Sequence, residues 1–415
     1  MKKNNLPKRL TISFPLWILM DTPGESACYH DLDKIVREHA ERGFNCIRLD
    51  DGAGLCHDIN GNRRGAVEIM HHFGEFEKTL RQQHIIGDGG KCDLLKRLFE
   101  LCEAAKKYNV YLILSSWYYL HTYCFHPEGD PVCDELFKIS PHDRFMAFAK
   151  FHHYIIKELE EKGYDDRIAF VEILNEANGL PFVNGYGGKN GLDDDELAKF
   201  TREHEDAILW LKKERPQLIF GYDSYTPWDD PRQIPKNMDV YNFHAYYMWN
   251  IYDIVISEHK EELILDKYTE EDVRLTRKGR IPAADDWYER ETLYNNLDRT
   301  KIPLMEKYLE EKLIEKYADY IKAVEENLEN VRKNTSPYPN VPIVCGEGVS
   351  YIGHKELIWE EKSETYWKLV EEVIRKYKEF GMWGTVVRTC MGPEDPSWDI
   401  CADRIKRINR VFLED

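Results

Sequence analysis

Positive charge is scarce in this chain: 57 Lys and Arg stand against 75 Asp and Glu, a formal net charge of −18. Nucleic-acid binding needs a basic footprint, so no nucleic-acid partner is expected, and a strongly anionic substrate is disfavoured. Long apolar runs are missing as well. None reaches the roughly 20 residues of a membrane span. The opening MKKNNLPKRLTISFPLWILM starts basic, but its apolar part is broken by Pro15 and lacks a small-residue cleavage site. CxxC pairs are absent, and the ten cysteines are scattered from Cys28 to Cys401. Scattered thiols suit a reducing compartment, so the expectation is a cytoplasmic protein without a membrane partner.

Several catalytic signatures are absent too. There is no G-x-S-x-G, no P-loop and no Cys-His signature. The Gly-rich Asn184–Gly191 (NGYGGKNG) lacks G-x-G-x-x-G spacing. His204-Glu205 is followed by Ile208 where an HExxH would need its second His. His71-His72, His121, His126 and His152-His153 invite a metal reading, but adjacent helix residues point different ways. No metal and no cofactor are expected.

What the chain does have is alternation. Strand-like runs occur at Leu10–Leu19, Phe44–Leu49, Val110–Trp117, Ile168–Glu176, Gln217–Tyr222, Val240–Tyr246, Pro342–Glu347 and Met382–Thr389. Helical periodicity lies between them, as in Leu32, Ile35, Val36 and His39, or Phe145, Phe148, Phe151, Ile155 and Leu159. Eight strands alternating with helices predict an α/β fold, a (β/α)8 TIM barrel. A doubly wound open sheet is the structural alternative. The rhythm breaks twice, after strand two and after strand six. The reading is therefore one catalytic domain over 1–415 with insertions near 50–90 and 249–305. The second insertion reads equally well as a lid or as a solvated excursion.

Catalytic groups of a TIM barrel sit at the C-terminal ends of its strands. Strand four ends in Asn175-Glu176, strand seven in Gly346-Glu347, strand two in Arg48, Asp50 and Asp51, and strand six in His244-Ala245-Tyr246. Two carboxyl groups facing one another across the mouth suit cleavage of a glycosidic bond, one as proton donor and one as nucleophile. Glu172, two residues inside strand four, reads better as a buried interior partner than as a third site carboxylate. Aromatic candidates for stacking on sugar are Trp117, Trp228, Trp249, Trp383 and Trp398. Arg388 reads either as a substrate ligand or as the partner of an acidic neighbour.

These motifs together resemble the retaining barrel glycosidases of clan A, most closely the cellulase-like enzymes around glycoside hydrolase family 5. FNCIRL resembles the family's second strand, ILNEANG its Asn-Glu strand, FHAYY its His-x-Tyr strand and IVCGEGV its nucleophile strand. The resemblance spans the barrel but not the two insertions. It implies Glu176 as acid/base and Glu347 as nucleophile. It also implies Asn175 on the sugar 2-hydroxyl, Arg48 and Tyr246 orienting Glu347, and His244 beside Glu176. The expected activity is double-displacement hydrolysis of β-glycosides, with a small neutral carbohydrate as substrate. Loops closing the groove into a pocket would favour exo-action. Two other readings stay open: a non-catalytic carbohydrate-binding barrel, and a metal-dependent sugar isomerase or aldolase barrel.

Overall fold

In the computed structural model eight parallel strands close into one barrel, in sequential order all the way round. It describes residues 6–15, 17–23, 27–69, 89–118, 130–178, 192–248, 250–276, 285–350, 354 and 356–414. The strands are β1 (Leu10–Ser13), β2 (Cys46–Asp50), β3 (Tyr111–Ser115), β4 (Ile168–Glu172), β5 (Phe220–Ser224), β6 (Val240–Ala245), β7 (Ile343–Gly348) and β8 (Gly384–Val386). Among the flanking helices are α1 (Leu32–Glu41), α2 (Leu94–Tyr108), α3 (Arg144–Lys162), α4 (Asp194–Glu214), α5 (Ile302–Thr335), α6 (Glu364–Phe380) and α7 (Ala402–Leu413). The barrel expectation stands.

The elements are shorter than the apolar runs suggested. β1 stops at Ser13, because Pro15 opens a turn in which Ile18 N–H donates to the Pro15 carbonyl. β4 stops at Glu172, leaving Asn175 and Glu176 in the turn beyond it. One crossover departs from the expected alternation. Between β5 and β6 the only helical element is a single 3-10 turn, Pro231–Gln233. Pro227, Pro231 and Pro235 crowd that connection, and proline in a helix interior removes a donor and clashes with the preceding turn.

Period-two alternation sorts the barrel interior into layers. Ile12, Cys46, Phe170, Val240, Val344 and Val386 form an apolar layer, with Leu10 packed beneath it. One step further along the same strands come Arg48, Glu172, Asn242 and Glu347, which hydrogen-bond to one another toward the strands' C-terminal ends. The apolar layer closes the barrel from below, so the polar layer is desolvated on that side.

Both insertions are tied to this frame. After β2, Val67–Ile69 pairs antiparallel with Gly90–Cys92 as a separate two-stranded sheet, and Val67, Ile69 and Cys92 join the apolar cluster that holds Leu94 and Leu98 of α2. After β6, helices Ile251–Glu258 and Lys260–Leu263 bring Tyr252, Val255, Ile256 and Leu263 into the apolar cluster that also holds Met305, Leu309 and Leu313 of α5. Tyr252 further donates to Glu360 in the short helix Trp359–Lys362 beyond β7, at 3.1 Å. No helix among the described residues is long and apolar enough to cross a membrane.

Candidate active site

Arg48 is the hub of the mouth. It is fully buried on β2, and its guanidinium lies 4.7 Å from the Trp117 ring and 5.1 Å from Phe14. Its Nε donates to Glu172 at 3.0 Å and its Nη1 to Glu347 at 2.7 Å. Its Nη2 donates to Asn175 at 2.6 Å and to Asp223 at 2.9 Å. A planar fork of fixed donors can align several oxygens in this way; a lysine ammonium could not. Arg48 thereby sets the positions of residues from β4, β5 and β7 at once.

Glu347 owes its position to a break in register. Phe243 pairs with Cys345, but His244 pairs with Glu347, so β7 carries one extra residue at Gly346. Such a bulge re-aims the side chain after it. Glycine is required there because a Cβ would lie 2.5 Å from Asn242 Nδ2 and 2.6 Å from Asn242 Oδ1. The bulge sets Glu347 beside His244, whose Nε2 is 3.5 Å from Glu347 Oε1. Tyr246 donates its hydroxyl to the other oxygen, Glu347 Oε2.

Glu176 projects from the turn after β4 with φ +46°, a left-handed conformation unusual for a side-chain-bearing residue. Its amide donates to Asp223 at 3.2 Å, and its carboxyl meets His244 Nδ1 at 2.6 Å. Val349 (φ +68°) and Cys390 (φ +50°), just beyond β7 and β8, share this conformation. Backbone strain of that kind is held where the surroundings over-determine it, and it gathers at functional sites.

Electrostatics separate the acidic groups. Burial pushes Glu176 above the usual carboxylate range; the charges of Glu347 and Asp223 add to this, against the hydrogen bond and charge of His244. Glu172 is also raised, by burial and by Asp223, against Arg48. Asp223 is lowered, because the charges of His244 and Arg48 outweigh its burial. His244 is raised well above its ordinary value: burial opposes the shift, but the charges of Asp223 and Glu347 dominate. The site thus holds two cations, Arg48 and His244, among four carboxyl groups; of the two raised ones, Glu172 is enclosed and Glu176 reaches the opening.

Glu176, Glu347, Arg48, Asn175, His244 and Tyr246 therefore come together as the sequence suggested. Glu172 is the buried interior partner, receiving Asn242 Nδ2 at 2.6 Å as well as Arg48. Asp223 was missed, although it contacts Arg48, His244 and the Glu176 amide. It lies one residue beyond Tyr222, the last residue of the apolar run.

The aromatic candidates fare differently. Trp117 lines the site but is 2% exposed and backs Arg48, leaving no open face for a sugar. Trp398 needs correcting: it is buried against His39, Phe44 and Arg42, where α1 meets the C-terminal segment. Trp383 lies at the opposite end of the barrel, its Nε1 donating to the Pro7 carbonyl. Trp228 is exposed on the β5–β6 connection and donates to Asn327 of α5. Arg388 takes the second of its two readings, enclosed by Glu360 at 2.8 Å, Asp395 at 3.3 Å and Glu361 at 3.5 Å. Trp249, His71, His72, His121, His126 and Asn184–Gly191 lie outside the described residues. His152 is committed to Asp51 at 2.8 Å and to the Ile173 carbonyl at 2.9 Å, a brace behind the Glu176 turn.

Comparison with solved structures gives the same architecture. A protein of Parabacteroides distasonis described as a candidate glycoside hydrolase is 19% identical with a TM-score of 0.64, over 98% of this chain and 94% of its own. A broad-specificity endoglucanase of family 5 from an uncultured bacterium is 12% identical with a TM-score of 0.51, over 98% and 94%. A family 5 enzyme of Prevotella bryantii, solved with a xyloglucan tetradecasaccharide, is 12% identical with a TM-score of 0.51, over 98% of each chain. At these identities the likeness is one of fold. No curated protein matches by sequence. The model of the family described as sugar-binding cellulase-like matches residues 16–394, nearly the whole barrel. This chain belongs to the cellulase-like family.

Proposed function

We propose that this protein is a retaining glycoside hydrolase acting on β-glycosides. One observation carries the reading. The facing atoms of Glu176, His244 and Glu347 all lie within 4.8 Å of one another. Retaining enzymes hold their two carboxyl groups about 5–5.5 Å apart, whereas inverting enzymes leave about 6.5–9.5 Å for a water. One oxygen of each glutamate within 4.8 Å of the other lies nearer the retaining spacing than the inverting one, and this supports the double-displacement reading.

In the first step a Glu347 oxygen attacks the anomeric carbon and the glycosidic C–O bond breaks. Glu176 delivers its proton to the departing oxygen, so the aglycone leaves as an alcohol and the sugar is held as an ester on Glu347. In the second step Glu176, now a carboxylate, takes a proton from water. The resulting oxygen attacks the same carbon and releases Glu347. Two inversions give net retention. Arg48 and Tyr246 hold the two Glu347 oxygens, and His244 holds Glu176 toward the same point.

The substrate proposed is a small neutral glycoside or oligosaccharide, attacked from its end. The net negative charge and the insertions after β2 and β6 support this, the latter bonded to the helix Trp359–Lys362 beyond β7. Clean internal cuts in a long β-glucan or β-mannan would overturn the exo-action. A second reading rests on the same three residues, since Glu176, His244 and Glu347 could also ligate a divalent ion. Chromophore release from aryl α- and β-glycosides (gluco, galacto, manno, xylo, fuco), with and without EDTA, decides between them. The hydrolase reading predicts release by wild type, none by Glu347→Gln, and indifference to EDTA. Release abolished by EDTA would favour a divalent ion held by these three residues, and no release at all would favour an isomerase or aldolase barrel.

A further inference from the structure

A second carboxyl site lies across the seam between β1 and β8, outside the machinery described above. The chain leaves β8 through Thr389, whose Oγ1 accepts from the Gly348 amide at 2.6 Å, so this exit runs directly beside Glu347. Cys390, in the left-handed conformation, then turns the chain, and its thiol feels the charges of both Glu347 and Glu394. Glu394 follows in a tight turn closed by Asp395 N–H donating to the Gly392 carbonyl at 2.9 Å. Its side chain is partly exposed, while its partner Tyr29 is buried and donates its hydroxyl to Glu394 Oε2.

This pair is built rather than incidental. The Tyr29 amide donates to Asp21 at 2.9 Å, and Arg97 of α2 grips the Tyr29 carbonyl at 2.6 Å. Gly392 closes over both groups: a Cβ there would lie 2.3 Å from Tyr29 Oη and 2.5 Å from Glu394 Oε2. Nothing larger than glycine fits without breaking the contact. A largely enclosed carboxylate is favoured as the anion when a cation lies beside it. Burial pushes the Glu394 carboxyl up to about 8, and the acidic Asp395 and Asp21 add to this against the hydrogen bond from Tyr29. At neutral pH it is therefore largely a neutral acid, with one oxygen accepting from Tyr29 and an O–H to donate. A donor and an acceptor on one rigid group suit a polyhydroxylated ligand.

We propose that Glu394, braced by Tyr29, hydrogen-bonds a ring hydroxyl of the sugar lying over Glu347 and thereby selects which sugar is accepted. The inference deepens the hydrolase reading and rests on it for the identity of that sugar. Glu394 makes no bond to the reacting atoms, so its role is specificity.

The test is saturation-transfer NMR between the whole protein and neutral monosaccharides (glucose, galactose, mannose, xylose, fucose). At least one sugar should bind wild type. Glu394→Ala should weaken it at least ~10-fold, the loss expected of about 1.4 kcal/mol. The monodeoxy sugar lacking the contacted hydroxyl should bind wild type and Glu394→Ala alike, which a merely structural defect would not produce. Should Glu394→Ala fail to fold, Glu394→Asp carries the same test by withdrawing the carboxyl about one C–C bond, ~1.5 Å. Equal binding by wild type and variant, or no sugar bound by wild type, overturns the proposal. Binding without turnover would sink the hydrolase reading alone, whereas turnover with unchanged binding in the variant would sink this inference alone.

Discussion

Replacing Gly346 by alanine probes the bulge on which the site depends. The added Cβ would stand 2.5 Å from Asn242 Nδ2 and 2.6 Å from Oδ1, and both are buried, so the Asn242 amide must turn away. That side chain donates to Glu172 at 2.6 Å and approaches Asp223 at 3.3 Å. A buried polar group left without its partner costs about 1–3 kcal/mol, and forcing extra volume into a packed core costs a similar amount. A destabilisation of about 2–4 kcal/mol is expected for Gly346→Ala. Activity should fall further than stability, since a shift near 1 Å in Glu347 costs about 10²-fold. Urea unfolding and kcat/KM on the responding aryl glycoside measure both. Asn242→Ala removes the obstacle, so the double variant should be less damaged than the two single losses combined, by at least ~1 kcal/mol. Wild-type stability and turnover in Gly346→Ala would refute the steric argument.

Further outcomes follow from the acid and from a buried histidine. Glu176→Ala should reduce hydrolysis of poor leaving groups by about 10²–10⁴ and of activated aryl groups far less, since only the former need the proton; equal losses on both would contradict the role. His204 is buried against Phe145, and burial lowers it to about 3. Its unfolded form titrates near 6.5, so the unfolded state binds the extra proton as pH falls below that value. The stability His204 permits is complete above about pH 6.5 and is lost toward pH 3. Between pH 7 and pH 5 wild type should therefore lose about 2 kcal/mol more than His204→Leu in paired urea titrations. Parallel pH dependences would show that His204 is not held neutral.

The legible part of this chain was the part governed by period two and by strand ends. Cys46 to Arg48, Phe170 to Glu172, and Val240 through Asn242 to His244 all place the next inward residue one layer higher, so a strand recognised is a site partly drawn. Asp223 is not legible because the apolar run spans Gln217–Tyr222 whereas β5 spans Phe220–Ser224, and a shift of two residues at its end hides the group at the mouth. The three prolines before β6 are legible in the sequence and account for the 3-10 turn that stands in place of a helix there. Trp398 and Trp383 show the other limit. Both flank the eighth strand in sequence, but one packs onto α1 and the other faces the N-terminal end, contacts made by residues hundreds of positions away. Arg388 likewise needed the positions of Glu360 and Asp395 before its partners could be assigned.

The most direct measurement is covalent trapping with an activated 2-deoxy-2-fluoro β-glycoside of the sugar that responds. Fluorine slows both steps by disfavouring the cationic transition state, while a good leaving group keeps the first step possible. Mass spectrometry of the intact protein should show one added fluoroglycosyl unit, and peptide mapping should place it on Glu347. An adduct on any other residue would contradict the assignment. So would rapid turnover of the parent glycoside with no adduct and an inverted product.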